Sequence, residues 1–147
     1  IKNVTLKKIF QIVDHSSIFI LIAGTYTPFV LVNMRGPWGW TLFGLVWGLA
    51  ISGIIIKSFL GTGGDKLSTV VYLAMGWIIV IAFKKMITSI PLMGIVWLVI
   101  GGLCYSLGAI VFLLENNMPF NHPVWHLFVL AGTVTHFFGI LFYVLPY

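Results

Sequence analysis

Charged residues are scarce in this sequence of 147 residues: they make up 7% of it, and only three are acidic. A water-soluble domain carries roughly a quarter charged residues, so this chain could not cover a soluble surface. With 60% hydrophobic residues and a mean hydropathy of +1.10, the composition is that of an integral membrane protein. The sequence therefore predicts a multi-pass protein of the cell membrane, with membrane lipids as its immediate partners.

Cysteine is almost absent as well. Cys104 is the only one, which excludes an intramolecular disulfide framework and any metal site built from several thiolates. Sixteen glycines are present, but none belongs to a phosphate-binding loop with a following Lys-Ser or Lys-Thr pair. The net charge of +5 comes from basic residues dispersed between apolar blocks. This pattern is typical of membrane topology signals, and it predicts no nucleic-acid partner.

Five apolar runs are long enough to cross a bilayer, which needs about 20 helical residues. The polar breaks between them are too short to separate domains, so we predict a single all-α transmembrane bundle over residues 1–147. The predicted helices cover residues 14–32, 38–56, 67–83, 92–114 and 123–145.

The alternation of these spans sorts the basic residues onto two sides of the membrane. The leading segment and the loops 57–66 and 115–122 share one side. That side carries Lys2, Lys7, Lys8, Lys57 and Lys66, and the other carries Arg35, Lys84 and Lys85. Because basic loops are retained in the cytoplasm, the richer side is predicted to be cytoplasmic.

Two histidines, His122 and His126, stand at the head of the last apolar run. Residues i and i+4 project from the same face of a helix, one turn apart. Asn121 suits the N-cap and Pro123 the first turn, so the helix is predicted to begin here. Such a pair can offer two nitrogens to a metal ion. The alternative is a polar pair at the membrane interface, or core histidines satisfied by hydrogen bonds.

Asp14 opens the first predicted span from the side on which His122 and His126 open the fifth. The three side chains should therefore lie at one membrane depth and form a shared polar site. An alternative for Asp14 is a helix N-terminal charge favoured by the macrodipole. His15 points elsewhere, toward headgroups or another helix. His136 lies roughly 15 Å further along the last helix, so we predict a hydrogen bond to a neighbouring helix there.

Three stretches of the sequence resemble a known family. Residues 14–29, DHSSIFILIAGTYTPF, resemble the start of the third transmembrane helix of the bacterial haemolysin III family. Residues 122–132, HPVWHLFVLAG, resemble its last helix, and residues 105–109, YSLGA, fit between the two. The resemblance covers essentially the whole chain. This family is grouped with the progestin and adiponectin receptors and is more distantly similar to alkaline ceramidases.

The resemblance implies a seven-helix bundle with Zn²⁺ held near the cytoplasmic face by three histidines. Two of these match His122 and His126 in the last helix. The aspartate that accompanies the metal through a water matches Asp14. The third histidine is expected upstream of Ile1, so we expect this sequence to be N-terminally truncated and to hold five of the seven helices.

The chemistry implied by the resemblance follows from the fourth position on such a zinc ion. Zinc lowers the pKa of a bound water toward neutrality, and Asp14 could orient that water or take its proton. The similarity to ceramidases implies hydrolysis of a lipid amide or ester. The alternatives are a structural zinc in a non-catalytic receptor or scaffold, and a pore-forming haemolysin. No span shows the polar, water-lining face that a pore requires.

Overall fold

The structure is a computed structural model that describes residues 4–61, 64–114 and 120–146. All regular secondary structure within these ranges is helical. The helices are α1 (Val4–Pro28), α2 (Pro37–Leu60), α3 (Asp65–Trp77), α4 (Phe83–Ser89), α5 (Leu92–Leu113) and α6 (Asn121–Tyr143). A π-helical turn, Phe29–Asn33, extends α1, and a 3-10 segment, Ile78–Ala82, joins α3 to α4.

Five stretches of the described chain are helical, long and apolar enough to cross a membrane. They are Val4–Asn33, Pro37–Leu60, Asp65–Ser89, Leu92–Leu113 and His122–Tyr143. The prediction of an all-α, multi-pass membrane protein is thereby confirmed. The last helix begins at Asn121 with Phe120 in the cap position, and the predicted capping role of the Asn121 side chain lies outside the described part of the chain.

The first helix begins ten residues earlier than the predicted start at residue 14. Lys7 and Lys8 were placed in a leading segment outside the first span, but helical hydrogen bonding extends beyond the apolar run and includes them. Asp14 therefore lies inside α1, roughly 15 Å from its first residue. The macrodipole explanation for Asp14 is wrong, because that effect is confined to the first turn.

The third span is also longer than predicted, because Lys84 and Lys85 lie in helix α4 and not in a loop. Its interruption at the 3-10 segment is stabilised by the hydroxyl of Tyr26. That hydroxyl donates to the carbonyl of Gly76 at 2.5 Å and accepts the N–H of Ile79 at 3.2 Å. Backbone groups freed by a helix break in lipid need such partners, since no water replaces them.

The core lies along α1, which packs against α2 and α3, while α5 and α6 form the most extensive helix pair. Its largest fully buried apolar side chains are Phe19, Phe29, Met34, Met75, Val30, Val46 and Val144. At one end of the bundle Gln11 contacts Asp65, and at the other Asn33 contacts the backbone of Tyr143. The end that holds Gln11 also holds the start of α6, which positions the site described below.

Labelling of single cysteines should test the predicted orientation. In a Cys104→Ala background, Lys66→Cys and Phe120→Cys should react only from the cytoplasm, and Arg35→Cys only from outside. All three native residues are exposed, so access does not depend on unfolding. A membrane-impermeant maleimide applied to cells and to inverted vesicles measures the difference. Labelling of Lys66→Cys and Phe120→Cys from opposite sides would contradict the alternation of spans.

Glycine lets α5 and α6 approach each other where His136 enters their interface. His136 is buried, and its Nε2–H donates to the carbonyl of Leu98 at 3.1 Å. This confirms the predicted hydrogen bond to a neighbouring helix. A Cβ atom at Gly101 would overlap the imidazole of His136, whereas a Cβ atom at Gly102 would meet open space. Substitutions at these two neighbouring glycines therefore distinguish the effect of close helix packing from that of intrinsic helix propensity.

We expect Gly101→Ala to destabilise the protein by about 1–3 kcal/mol, because the new methyl group displaces a hydrogen-bonded imidazole from a packed interface. Gly102→Ala is the matched control and should be close to neutral. Thermal unfolding in detergent, followed by circular dichroism, measures both. Equal melting temperatures for the two variants would show that the interface rearranges at no cost.

Candidate metal centre

The two histidines predicted as a pair lie in the first two turns of α6, on one face. The Nε2 atoms of His122 and His126 are 3.1 Å apart and share a hydrogen bond. One nitrogen donates and the other accepts, so the two Nε2 atoms are directed at the same point. A metal ion would take the place of the shared proton, with both rings neutral.

The structure brings Asp14 to the same point from α1. Its Oδ2 atom is 3.8 Å from the Nε2 atom of His122 and 3.8 Å from that of His126. All three donor atoms lie within 4.8 Å of one another. Ligand atoms on a tetrahedral zinc ion stand about 3.3–3.4 Å apart, and the observed 3.1 and 3.8 Å lie on either side of that spacing. The three donor atoms therefore lie close enough to share one ion, with Asp14 in direct contact or through a water.

Aromatic rings below the histidines restrict their side-chain rotamers. Trp125 is buried, and its ring centre is 5.1 Å from His122 and 4.6 Å from His126. Phe112 of α5 packs on Trp125 at 4.8 Å and on His122 at 6.2 Å. Rings held in this way lose little further freedom when an ion binds, so the donor pair is preorganised.

The donor atoms face a polar pocket of ≈ 530 Å³ at this end of the bundle. The side chains of His122 and His126 are 43% and 45% exposed, and that of Asp14 is 32% exposed. The pocket is lined by Lys7, Phe10, Gln11, Asp14, His15, Asp65, Phe112, His122 and His126. Within the described part of the chain, an ion bound here would be open to the pocket and to a further ligand.

A second polar cluster lies beside this pocket, and sequence reasoning did not find it. Lys57, near the end of α2, is completely buried and forms an ion pair with Oδ1 of Asp65, at the start of α3. Gln11 of α1 donates from Nε2 to Oδ2 of Asp65 at 3.2 Å. Three helices thus meet at one carboxylate. Lys57 was counted as a topology signal, but its charge is paired inside the protein.

His15 belongs to this cluster. Of the two environments left open for it, headgroups or another helix, the structure shows the second, with 1% of the residue exposed. Its ring lies 5.7 Å from Phe112 and 5.9 Å from Trp125. Nδ1–H donates to the carbonyl of Gln11 at 3.0 Å, and Nε2 lies 3.7 Å from Oδ1 of Asp65. His15 therefore packs between the candidate metal centre and the buried ion pair.

One signal in the sequence could have indicated the cluster. Asp65 is one of only three acidic residues in the chain, and it borders an apolar span. An acidic side chain at membrane depth needs a cationic or hydrogen-bonding partner. Lys57 stands eight residues away and was available for that role. The contacts of Gln11 and His15 had no such signal, because they depend on how α1 is rotated.

Comparisons with known proteins agree with this architecture. A family model described as haemolysin-III related matches residues 1–137. The chain is 52% identical to Hemolysin-3 of Bacillus cereus over 141 residues, 96% of this chain and 64% of that protein. It is 47% identical to the Hemolysin-3 homolog of Bacillus subtilis (strain 168) over 137 residues, 93% of this chain and 64% of that protein.

A more distant relative is the Monocyte to macrophage differentiation factor of Homo sapiens, 28% identical over 136 residues, 92% of this chain and 56% of that protein. The chain thus spans less than two thirds of the length of the curated relatives it matches. No solved structure matches it significantly. The family match covers nearly the whole chain and agrees with the multi-pass helical fold, so this chain belongs to the haemolysin III-related family.

Proposed function

We propose that this protein is a zinc-dependent membrane hydrolase that cleaves an amide or ester bond in a lipid. The observation that carries the proposal is the triangle of donor atoms from Asp14, His122 and His126, which opens into a polar pocket at one end of a transmembrane bundle. Membrane lipids present their amide and ester bonds at that depth, between the headgroup and the acyl chains. The cytoplasmic face is the proposed location.

In this proposal His122 and His126 hold the metal through Nε2. Imidazole nitrogens suit Zn²⁺, and the third imidazole that the family resemblance implies would complete the set. Bound in this way, zinc would supply an activated water and polarise a carbonyl group. The exposure of both imidazoles, 43% and 45%, is what a site with an open position requires.

Asp14 has the proposed role of general base. Its Oδ2 atom is 3.8 Å from both histidine nitrogens, which leaves it beside the metal position and free to hold a water by hydrogen bonding. A carboxylate that faces the pocket can take a proton from such a water and later return it to the leaving group. The neighbouring Nδ1 of His15 is 3.9 Å from Oδ2 and already donates to a backbone carbonyl, so it does not compete strongly for the carboxylate.

An apolar cavity next to the site supports a lipid as the substrate. It runs along α1 from Ile18 to Phe29, roughly 16 Å, between α1, α3, α5 and α6. Its volume of ≈ 90 Å³ is less than that of a cavity that holds one benzene molecule, so it has room for only a short part of a hydrocarbon chain. Trp125 lines this cavity and also packs against both histidines. A lipid could therefore place the first part of a chain in the cavity and its polar linkage in the polar pocket.

The full-length protein, purified in detergent and reconstituted in lipid nanodiscs, tests this function. We expect about one zinc ion per chain and slow hydrolysis of at least one member of a panel of N-acyl and O-acyl lipids. Chelation should abolish the hydrolysis, and added zinc should restore it. Release of free fatty acid, measured by mass spectrometry, reports the reaction.

A structural zinc is the second candidate, and one observation favours it. The donors come from α1 and α6, which otherwise share few contacts, so an ion between them would clamp the two helices together. Complete absence of turnover by a fully zinc-loaded protein across the panel would support this role and refute the hydrolase.

A further inference from the structure

The helix that carries Asp14 is anchored to α3 through two residues close to Asp14 in sequence. Gln11, three residues before Asp14, donates to Asp65 at 3.2 Å. The backbone carbonyl of His15, the residue after Asp14, accepts a hydrogen bond from the hydroxyl of Tyr72 at 3.0 Å. Asp65 and Tyr72 both belong to α3. Helix α3 therefore fixes the rotation and height of α1 at the level of the candidate metal centre.

The donor residues of that centre lie on two helices that pack mainly against different neighbours. Asp14 is on α1, which packs against α2 and α3, whereas His122 and His126 are on α6, which packs mainly against α5. Direct α1–α6 packing is limited, and at this level it consists of the ring of His15 against Trp125 at 5.9 Å. The separation of 3.8 Å between Oδ2 and each imidazole nitrogen thus depends on that contact and on what holds α1 from its other side.

The anchor on that other side is an ion pair in which Lys57 is buried and the side chain of Asp65 is 26% exposed. The side chain of Lys57 is completely buried, and its ammonium group contacts Oδ1 of Asp65. Separating the pair would leave an ammonium ion without its carboxylate in an apolar interior, which is strongly unfavourable. The other oxygen of Asp65, Oδ2, accepts a hydrogen bond from the side-chain amide of Gln11. Asp65 therefore cannot turn away from α1 without breaking the ion pair.

We propose that Asp65 is a positioning residue of the candidate metal centre: paired with Lys57, it holds α1 through Gln11 so that the Asp14 carboxylate faces the two histidines. This inference rests on the proposed function, since it assigns Asp65 a role in that site. It predicts that the ion pair contributes to metal affinity as well as to the stability of the fold. Removing an outer-shell partner of a metal site typically costs 10- to 100-fold in affinity.

Two variants of the full-length protein separate these contributions. Gln11→Met removes the contact to α1 and leaves the ion pair intact. The double variant Lys57→Met with Asp65→Leu replaces the pair by apolar side chains, an exchange that proteins often tolerate without loss of stability. Because Gln11 and Asp65 act on Asp14 and contact neither histidine of the pair, we expect both variants to bind Zn²⁺ up to about 10-fold more weakly than the parent. Measured without metal, their melting temperatures should be close to that of the parent. Competition with a chromophoric chelator measures the affinity.

Trp77→Phe is the matched control. It removes a hydrogen bond between α3 and α5, from Nε1 of Trp77 to the hydroxyl of Ser106 at 3.1 Å, away from the polar pocket. Its zinc affinity should equal that of the parent. The visible absorption of bound Co²⁺ adds a readout of coordination geometry that loss of stability alone would not change. It should shift in Gln11→Met and in the double variant, and stay unchanged in Trp77→Phe.

Parent-like zinc affinity in Gln11→Met or in a folded double variant would overturn the inference and leave the ion pair as a structural contact only.

A parent that binds no zinc would refute the proposed function instead. The positioning role is then tested without metal by Asp14→Cys with His126→Cys in a Cys104→Ala background. A short bifunctional thiol reagent should cross-link α1 to α6 efficiently, and added Gln11→Met should lower the yield several-fold. An unchanged yield would contradict the inference.

Discussion

Replacing His122 or His126 by alanine should remove most of the zinc from the full-length protein, from about one ion per chain to a trace. The Nε2 atoms are 3.1 Å apart at the head of α6, so each would supply one of the few protein ligands. Loss of one ligand breaks a coordinate bond and leaves the remaining donors too weak to hold the ion against competing chelators. Inductively coupled plasma mass spectrometry of purified variants measures the metal content.

His136→Ala is the control for that experiment. His136 is another histidine of α6, but it is buried and its Nε2–H donates to the carbonyl of Leu98 in α5. Its removal should leave the zinc content unchanged even if stability falls. A protein that required His136 for zinc and tolerated His126→Ala would contradict the assignment of the metal to the exposed end of α6.

Asp14→Asn should lower the rate of lipid hydrolysis by about 10²- to 10⁴-fold at saturating zinc, with the ion still held by the histidines at an affinity reduced by about 10- to 100-fold. Asparagine preserves the size of the side chain and its capacity for hydrogen bonding, but it cannot accept a proton at the pH of the reaction. The carboxylate is 32% exposed and faces the pocket, so the substitution leaves no buried charge unpaired. Steady-state release of fatty acid and the metal content must be measured on the same preparation.

The two measurements on Asp14→Asn distinguish the roles of the residue. Unchanged turnover with zinc retained would remove the role of base from Asp14 and leave the hydrolase proposal standing. Loss of both zinc and turnover would make Asp14 a direct ligand, in agreement with the donor triangle within 4.8 Å. The size of the loss in zinc affinity, compared with that of His126→Ala, separates these outcomes.

Hydropathy and spacing alone were sufficient to predict the five spans and the pairing of His122 with His126. A helix must satisfy its own backbone in lipid, so a long apolar run has one structural solution, and the i, i+4 relation follows from helical geometry. The shared depth of Asp14 and the histidine pair could be predicted as well, because alternating spans return to the same side. The start of the first helix could not be predicted, because hydropathy indicates where the apolar run ends and not where helical hydrogen bonding ends.

Only the tertiary structure decided which way each helix faces. In a bilayer the lipid is as apolar as the protein core, so a hydrophobic stripe does not show which side of a helix packs inward. This is why His15 could be assigned to headgroups or to another helix from the sequence, and why Lys57 was read as a surface charge. Their burial against Asp65 depends on contacts between α1, α2 and α3, which are distant in sequence and are set by the rotation of whole helices.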